Sequence, residues 1–178
     1  MQFDNYIVRQ PKLTDLENYF QMIERNRPRL EDFFAGTVSK TKTYGDTEVF
    51  LADMMRRIKA KTYLPFIIID SISQTIIGYV DVKNIDWNLP KAELGCYIDE
   101  SCAGKGISKK ALLLVIRHLF DDHGFNKLFL RTHQENQAAR ALAEACGFER
   151  EGLLRRDYKT TKGEIVDLIY YGLLKPGT

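Results

Sequence analysis

The sequence predicts an α+β (mixed α/β) fold, a central mostly antiparallel sheet flanked by helices. Three observations carry that reading. The first third shows apolar residues at helical spacing, the middle is a run of β-rich segments separated by short turns, and the last third alternates helix, strand, helix and hairpin. Residues 1–178 show no internal repeat, low-complexity tract or linker, so one domain is expected.

Tyr6 to Arg9 reads as a short strand. Thr14-Asp15-Leu16-Glu17 has the form of a capping box, opening a helix with Leu16, Tyr19, Phe20 and Ile23 on one face. Arg27-Pro28 is expected to interrupt it, with Leu30, Phe33 and Phe34 on a second short helix. Lys40 to Asp46 is polar and reads as a loop. Asp46 or Thr47 then caps a helix that buries Phe50, Leu51, Met54, Met55 and Ile58. Strands follow at Leu64–Asp70, Ile76–Ile85 and Ala92–Asp99. After them come a helix beyond Gly106, a strand at 127–132 and a helix opened by Asn136. A closing hairpin, Phe148–Tyr158 with Ile165–Leu174, turns around Thr161-Lys162-Gly163.

Composition excludes several classes. With 28% charged and 44% hydrophobic residues the chain reads as an ordinary soluble globular protein. A formal net charge of +2 argues against a dedicated nucleic-acid binder. The three cysteines, Cys96, Cys102 and Cys146, form neither an even disulfide framework nor a metal-type spacing, so no metal is expected. No charged-then-apolar leader opens the chain and no apolar run approaches spanning length, so the expectation is a cytoplasmic protein without a membrane partner.

The most informative segment is Cys102-Ala103-Gly104-Lys105-Gly106-Ile107-Ser108, set between a strand and a helix. Alternate glycines let backbone N–H groups converge, and the helix start adds unpaired donors and the positive end of its dipole. The combination suits a phosphate or pyrophosphate. It matches neither Gly-x-x-x-x-Gly-Lys-Ser/Thr nor Gly-x-Gly-x-x-Gly, since Lys109 stands where the third glycine would be.

What remains resembles the acetyl-coenzyme A loop of the GNAT (general N-acetyltransferase) superfamily, Gln/Arg-x-x-Gly-x-Gly/Ala, here Ala103 to Ser108. Ala103 and Ser108 depart from that pattern. A second matching stretch is a strand followed by Asn136-Gln137-Ala138-Ala139 and, at the helix end, Gly147-Phe148. Within the superfamily the chain is most similar to the ribosomal-protein N-terminal acetyltransferase branch (RimJ/RimL-like). Asn26-x-x-x-Leu30, Lys91 to Asp99 and Asp167 to Leu174 carry that likeness too.

The resemblance implies the GNAT acyl-CoA N-acyltransferase fold and direct transfer of acetyl from acetyl-CoA to an amine, with no acyl-enzyme. Acetyl-CoA or CoA would be the co-substrate. The acceptor would be a ribosomal-protein or other peptide N-terminus, or a small-molecule amine such as a polyamine or drug. Cofactor contacts are expected from Cys96 and Ile98 on the strand, from Ala103, Gly104, Lys105, Gly106, Ile107 and Ser108 in the loop, and from Asn136. Asn136 also reads simply as an N-cap and Gly147 as a helix stop.

Glu93, His133 and Glu135 are the candidate bases, Glu93 being preferred because it lies beside the expected thioester. Tyr158 is the expected acid. Phe33, Phe34 and Trp87 are expected at the amine cleft, and Lys105, Lys109 and Lys110 near the CoA phosphates. A CoA-binding module without turnover and a nucleotide-binding protein are the alternatives. The sequence leaves oligomeric state open, a homodimer being the commonest form.

Overall fold

The computed structural model describes residues 1–177, Asp32 and Phe33 by their backbone only. Eight strands form one sheet: β1 (Gln2–Phe3), β2 (Tyr6–Arg9), β3 (Phe66–Asp70), β4 (Ile76–Asp86), β5 (Lys91–Ile98), β6 (Lys127–His133), β7 (Glu149–Lys159) and β8 (Ile165–Leu174). Their order is β1-β2-β3-β4-β5-β6-β8-β7, and every neighbouring pair is antiparallel except β5 with β6. Helices α1 (Leu16–Phe33), α2 (Ala35–Ser39) and α3 (Tyr44–Lys59) precede β3, while α4 (Ile107–Asp121) and α5 (Gln137–Ala145) flank β6 in sequence.

Strand alternation sorts the core into two layers. Ile68, Val80, Val82 and Leu94 face α4, meeting Ala111, Leu112, Val115 and Leu119. Ile67, Ile69, Tyr79 and Tyr97 face the other way, against Tyr19, Met22 and Ile23 of α1 and Leu51 and Met54 of α3. Helices on both faces of a sheet require strands apolar on both sides, as the uninterrupted burial of Phe66 to Ile69 shows.

Four local expectations are corrected. The capping box at Thr14 to Glu17 does not form. Asp15 instead accepts from the Lys12 backbone N–H and pairs with Arg9 at 2.7 Å. Helix α1 is not interrupted at Pro28 but runs through it, with Pro28 and Glu24 both on the exposed side, where water can take the Glu24 carbonyl that loses its donor. Tertiary burial of Leu30 in the following turn outweighs that loss. The second short helix is therefore α2, which starts after Phe34. Helix α3 begins at Tyr44, inside the segment read as a loop, because Thr43 and Asp46 make the reciprocal capping box. β1 was not foreseen.

Asn26 stitches α1 to the end of β5. Its Nδ2 donates to Asp99 and to the Met22 carbonyl, and its Oδ1 accepts the Glu100 N–H. Asp99 also accepts from Ser101 and from Arg25 at 3.0 Å. Burial opposes the Asp99 charge, but the Ser101, Asn26 and Arg25 donors outweigh it and hold the carboxyl below its ordinary value. A lowered folded-state value contributes stability above the unfolded-state value, near pH 4, that is lost as pH falls through the folded one. Asp99→Asn should therefore destabilise by about 1–2 kcal/mol at neutral pH and by much less near pH 3, as urea unfolding at the two pH values would show.

Candidate active site

The parallel pair β5–β6 is joined over three rungs only, Lys91–Lys127, Ala92–Leu128 and Glu93–Phe129, although both strands continue beyond them. Past Glu93 the two strands part, and a cavity of about 730 Å³ opens at the gap. Leu94, Gly95 and Cys96 form its β5 wall, Leu130 to His133 its β6 wall, and Leu112 of α4 its floor. The opening lies beside the parallel β5–β6 pair, with Asn136 and Ala139 at the N-terminus of α5 in its lining.

Gly104 and Gly106 take left-handed φ of 74° and 73°, and a Cβ at either would meet nothing within 4 Å. Gly106 is the N-cap of α4 and offers no side-chain cap; the first bond back to it comes from the Lys110 N–H. The N–H groups of Ile107, Ser108 and Lys109 are thus left without intrahelical acceptors. An open, side-chain-free ledge of backbone donors fits a pyrophosphate. Ala103, Gly104, Lys105 and Gly106 are exposed there, while the Ile107 side chain turns into the core, so its contribution can only be its backbone. Residues 103–108 and Ile98 do not line the cavity, so only an elongated ligand could engage both ledge and gap. Lys110 forms an ion pair with Asp4 at 2.7 Å, leaving Lys105 and Lys109 as the exposed cations beside the ledge.

Of the remaining expected residues, Glu93, Cys96, His133, Glu135, Asn136, Ala139, Tyr158 and Phe34 all line the cavity. Asn136 caps α5, accepting the Ala139 N–H at 3.1 Å with Oδ1, which leaves its Nδ2 donor for the cavity. The Glu135 N–H donates to His133 Nδ1 at 3.4 Å. Burial pushes the Cys96 thiol up to about 12, with Cys146 adding to the shift. Tyr158 follows an irregular stretch between Leu154 and Tyr158, where Arg156 adopts φ 55° and donates its N–H to Asp167. The break inserts two extra residues on β7, so Tyr158 pairs with Val166 on the same sheet face as Leu154. Trp87 is not at the cleft; it stacks on Phe125 at 4.9 Å and donates to the Lys61 carbonyl. The Phe33 side chain lies outside the described residues.

Glu93 is 5% exposed, and both its oxygens are engaged. Arg131 donates to them at 3.2 and 2.9 Å, and Asn84 at 2.6 Å. Arg131 also reaches Asp157 at 2.6 Å. Glu93 therefore sits in the cavity wall as one end of a charge-assisted pair. Next to it, Lys83 holds Asp81 at 3.0 Å. Burial lowers the Lys83 ammonium's value, but Asp81 and Glu93 more than offset that and keep it charged. Arg131 and Lys83 escaped sequence reading. Arg131 shares a face with Glu93 only once the Glu93–Phe129 rung is known, although its place two residues before His133 was a usable signal. Among the described residues no group of three His, Cys, Asp or Glu side chains could hold a metal, and no helix is long and apolar enough to cross a membrane.

A strand gap between parallel neighbours, with a glycine ledge on an uncapped helix, suits an elongated ligand that carries phosphates. Residues 5–149 match the Acetyltransferase (GNAT) domain, and the chain belongs to that family of acetyl-CoA-dependent enzymes. It is 30% identical over 163 residues to YdaF of Bacillus subtilis (strain 168), which carries a provisional ribosomal N-acetyltransferase name; the match covers 90% of this chain and 86% of that protein. In fold it is similar to the ribosomal-protein-S5-alanine acetyltransferase of Vibrio fischeri, with TM-score 0.90, 21% identity and coverage of 99% and 97% of the two chains. It is also similar to RimL, a ribosomal L7/L12 α-N-protein acetyltransferase solved with coenzyme A, at TM-score 0.89, 16% identity and coverage of 98% and 96%.

Proposed function

We propose that this enzyme moves the acetyl group of acetyl-CoA directly to a primary amine, the amino terminus of a ribosomal protein or another peptide. The observation that carries the reading is the cavity at the β5–β6 gap, whose lining gathers Glu93, His133, Asn136 and Tyr158. The names of YdaF and of the two ribosomal-protein acetyltransferases favour a peptide amine over a small metabolite. A cytoplasmic location is part of the proposal, and cell fractionation would test it.

When bound, acetyl-CoA supplies an activated thioester carbonyl. The chain's own contribution is to position and to move protons. Gly104, Gly106 and the first turn of α4 hold the pyrophosphate. Asn136 Nδ2 orients the arm that enters the gap. The unpaired edge of β5 beyond Glu93 offers backbone N–H groups to a developing oxyanion. Cys96, the only cysteine among the lining residues, stays a thiol at neutral pH, which favours direct transfer over a cysteine-bound acyl group.

Tyr158 returns a proton to the departing thiolate. A positioned general acid contributes typically 10²–10⁴-fold, so Tyr158→Phe should lower turnover by about a hundredfold with little change in affinity for acetyl-CoA. Full turnover in that variant would remove Tyr158 from the chemistry. The function itself is tested by thiol release from acetyl-CoA in the presence of seryl and alanyl peptides, with mass spectrometry for an added acetyl group. Release that depends on both reactants supports the reading. Acetyl-CoA binding without amine-dependent release would make the protein a CoA-binding module instead.

A further inference from the structure

Tyr158 is half-buried in the cavity lining, yet among the described residues no group hydrogen-bonds its hydroxyl. A general acid must lie within hydrogen-bond reach of the atom it protonates. The aim of Tyr158 therefore depends on the backbone that carries it, and the stretch before it is irregular. Between the Leu154–Leu168 and Tyr158–Val166 rungs, β7 carries two more residues than β8. The extra length around Arg155 to Asp157 is pinned at two points. The Arg156 N–H donates to Asp167 Oδ1 at 2.8 Å, and Arg131 Nη1 donates to the Asp157 carboxylate at 2.6 Å.

The second pin is long-range. Arg131 belongs to β6, and β8 lies between β6 and β7, so the guanidinium reaches past a whole strand to Asp157. Glu93 makes that reach possible. Arg131 Nε and Nη2 fork onto the two Glu93 oxygens at 3.2 and 2.9 Å, which leaves Nη1 for Asp157. Exposed ion pairs are weak in part because two long side chains lose freedom to form them. Arg131 has already lost that freedom to buried Glu93, and Asp157 is short, so the second contact orders little more. The chain Glu93–Arg131–Asp157 thus runs from the β5 wall of the gap to the residue before Tyr158. We propose that Asp157 is a positioning residue for the acid step, its ion pair with Arg131 fixing the β7 bulge so that the Tyr158 hydroxyl faces the departing sulfur. This deepens the transferase reading and rests on it. Asp157 is not among the residues lining the cavity, so it acts through Tyr158 and not on the reactants. Both partners of the pair are partly exposed, so its loss spares the fold and reads out on the chemistry.

The test is the kinetics of amine-dependent thiol release, with the seryl and alanyl peptides as acceptors, for wild type, Asp157→Asn, Asp157→Glu, Tyr158→Phe and the Asp157→Asn/Tyr158→Phe double variant. Asp157→Asn should lower kcat about tenfold and change KM for acetyl-CoA by less than about twofold, because a small misplacement of a reacting group is costly. Asp157→Glu keeps a carboxylate for Arg131 and should recover most of the turnover. In the Tyr158→Phe background, Asp157→Asn should cost less than about twofold more, since the group it aims is gone. Equal kcat in wild type and Asp157→Asn, or the same fractional loss in both backgrounds, would overturn the assignment. Hydrogen exchange supplies a readout that needs no turnover. Amides from Arg155 to Val166 should exchange faster in Asp157→Asn than in wild type or Asp157→Glu, with those of α4 unchanged. That difference in a protein that releases no thiol would count against the transferase reading alone, whereas unchanged exchange would overturn the pin.

Discussion

Gly106→Val should abolish coenzyme A binding while leaving the protein folded. Gly106 sits at φ 73°, where a β-branched residue is strongly disfavoured, and it is the N-cap of α4. Relaxing φ to an ordinary value turns the Ile107, Ser108 and Lys109 N–H groups away from their common focus. Even without relaxation, the valine methyls would enter the open space before the ledge. The left-handed conformation costs about 1–2 kcal/mol for a residue with a Cβ, a few degrees in melting temperature for a domain this size. Affinity for coenzyme A measured by calorimetry should fall by about a hundredfold or more, since the phosphates lose their backbone donors together. A Gly106→Val protein that binds coenzyme A as wild type does would mean the pyrophosphate lies elsewhere.

Arg131→Met should cause the largest loss of stability among single changes at the cavity wall. Glu93 has 6% of its side chain exposed, and its two shortest-range charge partners belong to Arg131. Removing the guanidinium leaves a buried carboxylate with a hydrogen bond from Asn84 and the neighbouring Lys83 charge alone. Breaking one side of such a pair costs about 3–5 kcal/mol. Arg131 is 28% exposed, so water can reach the vacated space and the lower figure is expected. Thermal unfolding should shift down by about 6–12 °C. Adding Glu93→Gln should recover most of the loss, because the amide keeps a hydrogen bond to Asn84 without an unpaired charge. A single variant within about 0.5 kcal/mol of wild type would show that the pair is not structurally coupled to the wall.

Much of the architecture was legible because its signals are local. Ile76 to Ile85 and the segment from Ala111 to Phe120 carry unambiguous apolar patterns, and they became β4 and α4. Asn136 with Gly147 marked both ends of α5, and the glycines at 104 and 106 marked the ledge. What escaped was set by partners distant in sequence. Pro28 reads as a break, yet Leu30 is held in the core of the same helix. Thr43 was lost inside a polar stretch because its partner Asp46 looked like the cap itself.

The site divides the same way. Backbone features could be read from residue type, whereas the Glu93–Arg131 pair required the register of β5 and β6. Trp87 illustrates the converse. The family resemblance placed it at the amine cleft, but it packs on Phe125.

The most direct test of the account is a thermal-shift titration of the wild-type protein with acetyl-CoA, with ATP and NAD as controls. A ligand at a hundredfold excess over its dissociation constant adds about 2.7 kcal/mol, or about 5–10 °C here. The account predicts a shift of that size for acetyl-CoA and none for the controls. No shift with acetyl-CoA at millimolar concentration, or an equal shift with ATP, would contradict it.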